Sequence, residues 1–471
     1  MKMPMSDLSI APDQVSLGVG EIFEAAIRHD EAGRIDRAES LLQTILKQHP
    51  HHADALHLMA VISYKKGNMQ QALAYAEQSI LCGVNTPLYI RNICEFYRLC
   101  GKLDEALVTA RRAVELNPGD GEALHNLAIV EMDAGLNAEA QKSFRAALSI
   151  VPDMAGAHFG LSEALLQNGE FREGWEEYEW RFRIPDAAPP IPYTDKPQWD
   201  GSRFEEDETL LLVADQGFGD AIQFGRLIPR VLERCSKVSV GCSPELKPLL
   251  QMICPEARCF VNWNDIGDYK AWLPITGLPR IFDITLDNIP NRVPYLYVDE
   301  EKKAAWSAKL DKILPSRFKR IGIVWAGRPT HKNDWKRSVQ LKEFEALANC
   351  PDVAFVILQK GPSQSQVGEF YGVAPVVHLS LEVKSFEDTM AIMAGLDLVI
   401  SIDTSVAHLA GAIGVPLWLI LPHVAEWRWL IGRDTSPWYP TARLFRQSDS
   451  GDWKNVFEQM RLELGSLKRK T

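Results

Sequence analysis

The sequence lacks an uninterrupted hydrophobic run long enough to cross a bilayer. Its longest apolar stretches, at residues 390–402 and 407–421, are broken by glycine, aspartate and proline. Neither reaches the roughly 18 to 20 apolar residues that a spanning helix needs. The amino terminus also lacks the charged start and apolar core of a secretory signal. These absences favour a cytoplasmic protein without a membrane span.

The composition excludes further classes of protein. The eight cysteines form no C-x-x-C pair, and no histidine stands at zinc-finger spacing, which predicts buried thiols in a reducing compartment. Lys and Arg number 51 against 62 Asp and Glu, and the net charge of -11 argues against nucleic-acid binding through a basic face. A chain of 471 residues with 46% apolar side chains is globular and predicts two or three domains.

The first part of the chain repeats with a period of 34 residues. Five glycines mark the period: Gly33, Gly67, Gly101, Gly135 and Gly169. Five residues later stand small side chains: Ala38, Ala72, Ala106, Ala140 and Gly174. Glycine supplies the backbone freedom that ends the first helix of a pair, and small residues let two helices approach closely. The pattern resembles the tetratricopeptide repeat, a helix-turn-helix unit.

Such a unit cannot bury its apolar face alone, so neighbouring units must stack. About five repeats over residues 17–183 therefore predict an α-superhelix with a concave groove. The groove is expected to bind a protein or peptide. The alternative is a scaffold or dimerisation arm.

A proline-rich segment, expected to be a linker over residues 184–207, separates the repeats from the rest. Beyond it, β-rich runs alternate with helical segments, which predicts two Rossmann-like α/β halves at residues 208–300 and 315–471. The fold class is thus α plus α/β. Ligands of such parallel sheets bind beyond the carboxyl ends of the strands.

The first polar segment after a predicted strand begins at residue 215. It contains the candidate cleft residues Gln216, Gly217, Gly219, Asp220 and Gln223. It is not a dinucleotide fingerprint, because Ile222 stands where the third small residue belongs. The two glycines are expected to leave room for a substrate, with Asp220 facing the cleft. A helix N-cap is the alternative role for Asp220.

Two further segments suit an anion. An apolar strand leads into Asp403, Thr404 and Ser405, with His408 one turn into a helix whose free N–H groups can bind a phosphate. The alternative is an ordinary cap at Asp403 with His408 in the core. The loop at residues 325–338 follows another strand and is rich in basic side chains, among them Arg328, His331, Lys336 and Arg337. Its alternative is a solvated loop.

Five ordered blocks between residues 197 and 447 resemble glycosyltransferase family 9, the bacterial heptosyltransferase group, in the version fused to tetratricopeptide repeats. The blocks are GD-x-IQF at 219–224, IVWAG-x-P to RS at 323–338, LQKGP at 358–362, DT-x-x-AH-x-AGA at 403–412, and WRWL to RLFRQ at 427–447. Asp215 departs from the glutamate usual in such fused relatives.

The resemblance implies a GT-B fold and an inverting transfer of sugar from a nucleotide-sugar, without a cofactor or metal. It implies that Asp220 is the general base. Donor binding is implied for Asp403, Thr404, Ser405, His408, Arg328, His331, Lys336, Arg337, Gln359 and Lys360. The acceptor is expected to be a protein Ser or Thr recruited by the repeats. A lipid-linked or envelope saccharide acceptor, or a non-catalytic adaptor with a degenerate transferase fold, remain alternatives.

Overall fold

The computed structural model describes residues 18–82, 86–185, 194–331, 334–370, 372–449 and 451–465. The chain divides into two compact units, residues 1–152 and 153–471. Within the described ranges, no helix is both long and apolar enough to span a membrane. All eight cysteines are free thiols. Part of the expected linker, residues 186–193, lies outside the described residues.

The first unit is a tetratricopeptide-type helical superhelix. Its described helices are α1 (Val19–Glu31), α2 (Ile35–Gln48), α3 (Ala53–Lys65), α4 (Met69–Leu81), α5 (Pro87–Leu99), α6 (Leu103–Leu116), α7 (Gly121–Asp133) and α8 (Asn137–Ile150). The glycines between paired helices have positive φ, from 70° at Gly33 to 80° at Gly67. The four repeat alanines are all 0% exposed. The turn and packing roles predicted from the period are confirmed.

The second unit begins with the fifth helix pair, α9 (Ala155–Asn168) and α10 (Phe171–Tyr178), followed by a 3-10 turn at Glu179–Arg183. A Cβ on Gly174 would lie 2.7 Å from Leu166 Cδ2, which explains the small residue at this register. This second unit begins at residue 153, before the boundary that the sequence predicted at residue 183. The reason is that α10 buries Trp175 and Tyr178 within the core of the α/β part.

The first α/β half is a four-stranded parallel sheet in the order β3-β2-β1-β4. Its elements are β1 (Thr209–Val213), α11 (Phe218–Gly225), α12 (Ile228–Val231), β2 (Lys237–Gly241), α13 (Lys247–Ile253), β3 (Arg258–Phe260), β4 (Ala271–Pro274) and α14 (Leu278–Ile281). Two short helices, α11 and α12, follow β1, and a proline stands in the first turn of α12. The connector helix α15 (Glu300–Ile313) leads to the second half.

The second half is a six-stranded parallel sheet in the order β10-β9-β8-β5-β6-β7. Its elements are β5 (Lys319–Val324), α16 (Asp334–Arg337), α17 (Glu345–Ala348), β6 (Val353–Ile357), β7 (Val376–His378), α18 (Phe386–Ala394), β8 (Leu398–Ile402), α19 (Ser405–Ala412), β9 (Leu417–Leu421), β10 (Ala442–Arg446) and α20 (Lys454–Leu464). The predicted segments at the carboxyl ends of β5 and β8 thus lie on one edge of one sheet.

Candidate functional site

An ion pair joins the two α/β halves at the carboxyl ends of their strands. Asp220 is the third residue of α11, and Arg428 lies in a 3-10 turn at Trp427–Trp429, in the loop after β9. Arg428 Nη2 pairs with Asp220 Oδ1, and its Nε donates to Gln223 Oε1 at 2.7 Å. One guanidinium therefore holds two side chains of the predicted cleft segment. The N-cap of α11 is Gly217, so Asp220 is not a helix cap.

The second oxygen of Asp220 is open. Among the residues that the structure describes, no donor is hydrogen-bonded to Oδ2, and 18% of the side chain is exposed. Arg428 on Oδ1 fixes the orientation of the carboxylate. Asp220 can therefore accept a proton through Oδ2 without first losing its ion pair.

Glu426 adds a second carboxyl group to Arg428. Arg428 Nη1 pairs with Glu426 Oε1, and the Arg428 backbone N–H donates to Oε2 at 2.9 Å. Burial, opposed by Arg428 and reinforced by Asp403 and Asp220, raises the pKa of Glu426 to about 8, although 32% of its side chain is exposed. Burial thus favours the neutral form of Glu426, which limits the crowding of negative charge around Asp220.

Asp403 and His408 form a pair at the start of α19. His408 Nε2 lies 3.7 Å from Asp403 Oδ1, and Nδ1 lies 2.8 Å from the Tyr439 hydroxyl. Burial opposes ionisation of Asp403, but His408, Arg337 and Arg428 prevail and lower its pKa to about 2. Asp403 is therefore an anion at neutral pH. His408 is 4% exposed, so it is buried as the core alternative expected, and it lies beside a candidate site residue.

Thr404 and Ser405 lie where the helix begins. Thr404 is the N-cap of α19, and its side chain makes no capping hydrogen bond. Its Oγ1 instead lies 3.2 Å from Ser401 Oγ. The Thr404 side chain therefore leaves the backbone N–H groups at the amino end of this eight-residue helix uncapped. The positive end of the helix dipole at this position favours an anion.

One of the two glycine positions, Gly219, does not leave the space that the sequence suggested. A Cβ on Gly219 would lie 2.7 Å from His408 Cδ2 and 3.1 Å from Nε2. The space beside Gly219 is therefore filled by the imidazole of His408. The missing side chain lets α11 and α19 approach each other and bring the strand ends of the two halves together.

Gly219→Ala should destabilise the protein by about 1–3 kcal/mol, because the added methyl group displaces a buried ring. Denaturant unfolding measures the loss. Gly368→Ala is the matched control, since a Cβ there meets nothing within 4 Å, and it should stay within about 0.5 kcal/mol of wild type. Equal stabilities of the two variants would contradict the close packing of α11 on α19.

The basic loop after β5 is ordered by its own side chains. Gly327 N donates to Ser338 Oγ at 2.9 Å, and that hydroxyl donates to Asp334 Oδ2 at 2.8 Å. Arg337 Nε donates to Asp334 Oδ1 at 3.3 Å. A Cβ on Gly327 would collide with Asp334 Oδ1, so only glycine fits. These hydrogen bonds order the ends of the loop, while residues 328–331 are exposed as the alternative of a solvated loop expected, and residues 332–333 lie outside the described ranges.

The predicted cations of this loop differ in their surroundings. Arg328 is exposed, and its guanidinium has no ion-pair partner in the described part of the chain. Lys336 Nζ lies 5.5 Å from the centre of the Trp335 ring. Partial burial and the charge of Arg337 lower the pKa of His331, while Asp334, Asp403 and Asp220 oppose the shift. His331 thus lies within the electrostatic reach of both candidate carboxylates.

Gln359, which the resemblance assigns to binding of the nucleotide-sugar, has its side-chain amide hydrogen-bonded to the backbone instead. It is 3% exposed, and its Oε1 accepts from the backbone N–H groups of Trp325 and Ala326 at 3.0 and 2.9 Å. Its Nε2 donates to the carbonyls of Ala326 and Lys360 at 2.9 and 2.8 Å. The amide is fully occupied by backbone groups and fixes the ends of β5 and β6. Lys360 Nζ donates to Val383 O at 2.5 Å.

Comparisons with known proteins support the repeats. Family models described as tetratricopeptide repeat match residues 31–90 and 125–178. The chain is 28% identical over 386 residues to Protein FlbA of Caulobacter vibrioides, covering 76% of this chain and 63% of that protein. Because the paired repeat helices end at Tyr178, this similarity extends into the α/β part. The chain spans less than two thirds of that relative's length.

Solved structures of repeat proteins are also similar. YrrB, titled a TPR protein with an unusual peptide-binding site, shows 20% identity and a TM-score of 0.31, covering 36% of this chain and 88% of its own. Pseudomonas aeruginosa pilF shows 17% identity and a TM-score of 0.33, covering 36% of this chain and 78% of its own.

Sequence reasoning missed two members of the site. Arg428 and Glu426 lie about 200 residues from Asp220 along the chain, and no periodicity connects them. Their signal was a pair of opposite charges in a tryptophan-rich loop, EWRW at residues 426–429. Charged side chains seldom stand among tryptophans unless they are paired.

Proposed function

We propose that this chain is a glycosyltransferase that moves a sugar from a nucleotide-sugar to a hydroxyl group of a protein held by the repeats. The observation that carries the proposal is Asp220, with one carboxylate oxygen fixed by Arg428 and the other open. It lies where α11 and α19 place the strand ends of two parallel sheets against each other. In open α/β folds, ligands bind outside the carboxyl ends of the strands.

The proposed step needs little besides a base and a stabilised leaving group. The acceptor oxygen attacks the anomeric carbon, the bond from that carbon to the phosphate oxygen breaks, and the hydroxyl proton passes to Asp220 Oδ2. The nucleoside diphosphate leaves with the electron pair. Attack from the face opposite to the leaving group inverts the configuration at this carbon.

The leaving diphosphate requires positive charge on the donor side. The amino end of α19 supplies the positive end of a helix dipole, and the loop after β5 supplies Arg328, Lys336 and Arg337. In the described ranges, no group of three or more His, Cys, Asp or Glu side chains is arranged to hold a metal ion. The proposal assigns the neutralisation of the diphosphate to the amino end of α19 and to these cations.

The acceptor side rests on the repeats. Stacked helical repeats present an extended concave surface, which suits a protein or peptide more than a small ligand. The similarity to Protein FlbA extends beyond the repeats, so the two parts occur together in another chain. We therefore favour a protein acceptor over a lipid-linked or envelope saccharide.

Calorimetric titration with nucleoside diphosphates, with and without a chelator, tests the donor site. We expect one nucleotide to bind with the same affinity in both conditions. Arg328→Ala should weaken that binding about tenfold, because a charge-assisted contact is lost. Arg317→Ala is the matched control, since this exposed arginine precedes β5 at the opposite edge of the sheet. A strict requirement for Mg²⁺ or Mn²⁺, or equal effects of both variants, would contradict the proposal.

A further inference from the structure

The fifth helix pair packs on both α/β halves at once. Trp175 of α10 is 2% exposed, and its Nε1 donates to Ile284 O of the first half at 2.9 Å. Its ring lies perpendicular to Phe224 of α11 at 6.2 Å and to Trp427, the neighbour of Arg428, at 5.2 Å. One indole thus contacts both elements that carry the Asp220–Arg428 pair.

The carboxyl end of α9 holds the loop that carries Arg428. Gln167, 3% exposed, donates through Nε2 to Ala425 O at 2.7 Å. Its backbone carbonyl accepts from Ile431 N at 3.2 Å. Both ends of the 425–431 segment are therefore fixed by one residue, and Glu426 and Arg428 lie between them.

The carboxyl end of α10 reaches Asp220 through one intermediate side chain. The side-chain amide of Gln216 finds suitable hydrogen-bond partners for both its nitrogen and its oxygen in one orientation, in which the nitrogen donates to Asp220 Oδ1 at 3.2 Å. Its oxygen then accepts from the Tyr178 hydroxyl at 3.1 Å and from Arg181 Nε at 3.3 Å. Tyr178 is 3% exposed, and burial raises its pKa, so its hydroxyl stays a donor at neutral pH.

Arg181 also contacts the strand-to-helix turn that carries Gln216. Its Nη2 donates to Thr276 Oγ1 at 2.7 Å and lies 3.8 Å from Asp215 Oδ2. Thr276 Oγ1 in turn donates to Asp215 Oδ2 at 2.7 Å. The strand-to-helix turn that begins at Asp215 is thereby tied to the last repeat at two consecutive residues.

These contacts use side chains that the preceding repeat lacks. One period of 34 residues earlier, Phe144 stands in place of Tyr178 and Gln141 in place of Trp175. Phenylalanine keeps the apolar contact but has no hydroxyl to donate. The fifth repeat therefore differs from the fourth in the side chains that contact the α/β halves.

We propose that the fifth helix pair is a positioning element of the candidate site, in which Tyr178 orients Asp220 through Gln216 and Gln167 holds the loop of Arg428. This inference rests on the proposed glycosyl transfer for its kinetic consequences. On this reading the last repeat is part of the machinery of the α/β unit and not the end of a separate recruiting arm.

Tyr178→Phe in the full chain tests the inference, because it removes one hydroxyl and keeps the ring. We expect kcat for transfer and for donor hydrolysis to fall about three- to tenfold, the range for one hydrogen bond, with the donor KM unchanged. Tyr269→Phe is the matched control, since it removes a hydroxyl that donates to Thr194 Oγ1 at 2.8 Å within the same unit. Equal kcat values for the two variants would overturn the inference.

A double-variant cycle shows whether Tyr178 acts through Gln216. If it does, Tyr178→Phe adds no further loss of kcat to Gln216→Leu, so the two effects are not additive. Fully additive losses would overturn the relay. Near-identical unfolding curves for the three variants exclude a general loss of folding as the cause.

Hydrogen exchange separates this inference from the proposed function. We expect Gln167→Leu to raise exchange in residues 425–431, and Tyr178→Phe to raise it in residues 215–220, relative to Tyr269→Phe. If wild type hydrolyses no nucleotide-sugar while these exchange changes occur, the proposed function fails and the positioning stands. Unchanged exchange in both segments would overturn the positioning even if the wild type is an active transferase.

Discussion

Asp220→Asn should lower turnover at least about 100-fold while nucleotide binding persists. The amide keeps the size of the carboxylate and can still accept from Arg428, but it cannot accept the hydroxyl proton. Loss of the Asp220 charge removes one cause of the raised pKa of Glu426, so Glu426 can ionise beside Arg428 and the guanidinium charge is not left uncompensated. The loss should therefore appear in kcat for both transfer and donor hydrolysis, with the donor KM near that of wild type.

The design of this experiment needs a control for the loss of an Asp–Arg pair as such. Asp283→Asn removes the carboxylate that Arg172 Nε contacts at 2.9 Å, in an exposed ion pair of the same unit. Exposed pairs contribute little to stability, and this variant should be fully active. Wild-type turnover by Asp220→Asn would remove Asp220 from the mechanism and with it the main support for sugar transfer.

The repeats could be predicted from the sequence because their packing is local. A 34-residue period fixes which residue must turn with positive φ and which must be small. As expected, Gly101 has a φ of 74°, and Ala106 is 0% exposed between its helices. The attachment of the fifth pair could not be predicted in this way. Trp175 packs on residues more than 100 positions away, and no periodicity records such a contact.

The strand ends of the α/β part were predictable for a similar reason. Residues 398–402 are apolar except for Ser401, which fits the fully buried strand β8. The partners of the site residues were not predictable. Gly219 was expected to make room for a substrate, yet the ring of His408 occupies that space. Which side chain fills a gap depends on how two distant helices meet.

Removing residues 1–152 should raise the KM for the protein acceptor about 100-fold or more and leave the donor site intact. The remaining residues, 153–471, form one compact unit that keeps α9 and α10. The physical reason is effective concentration, because tethering an acceptor near the cleft raises its local level to roughly the millimolar range. The acceptor is first identified by mass spectrometry of glycopeptides that the full chain produces in a lysate.

The truncated chain must first show cooperative unfolding and nucleotide binding equal to wild type. Residues 1–152 added as a separate chain should not restore the acceptor KM, since they no longer tether. A chain that starts at residue 184 is the matched contrast, because it also loses Trp175, Tyr178 and Gln167. We expect it to bind nucleotide poorly and to unfold easily, since the core of the α/β part loses the aromatic face of α10. An unchanged acceptor KM after removal of residues 1–152 would show that the first four repeats recruit no acceptor and would favour an assembly scaffold.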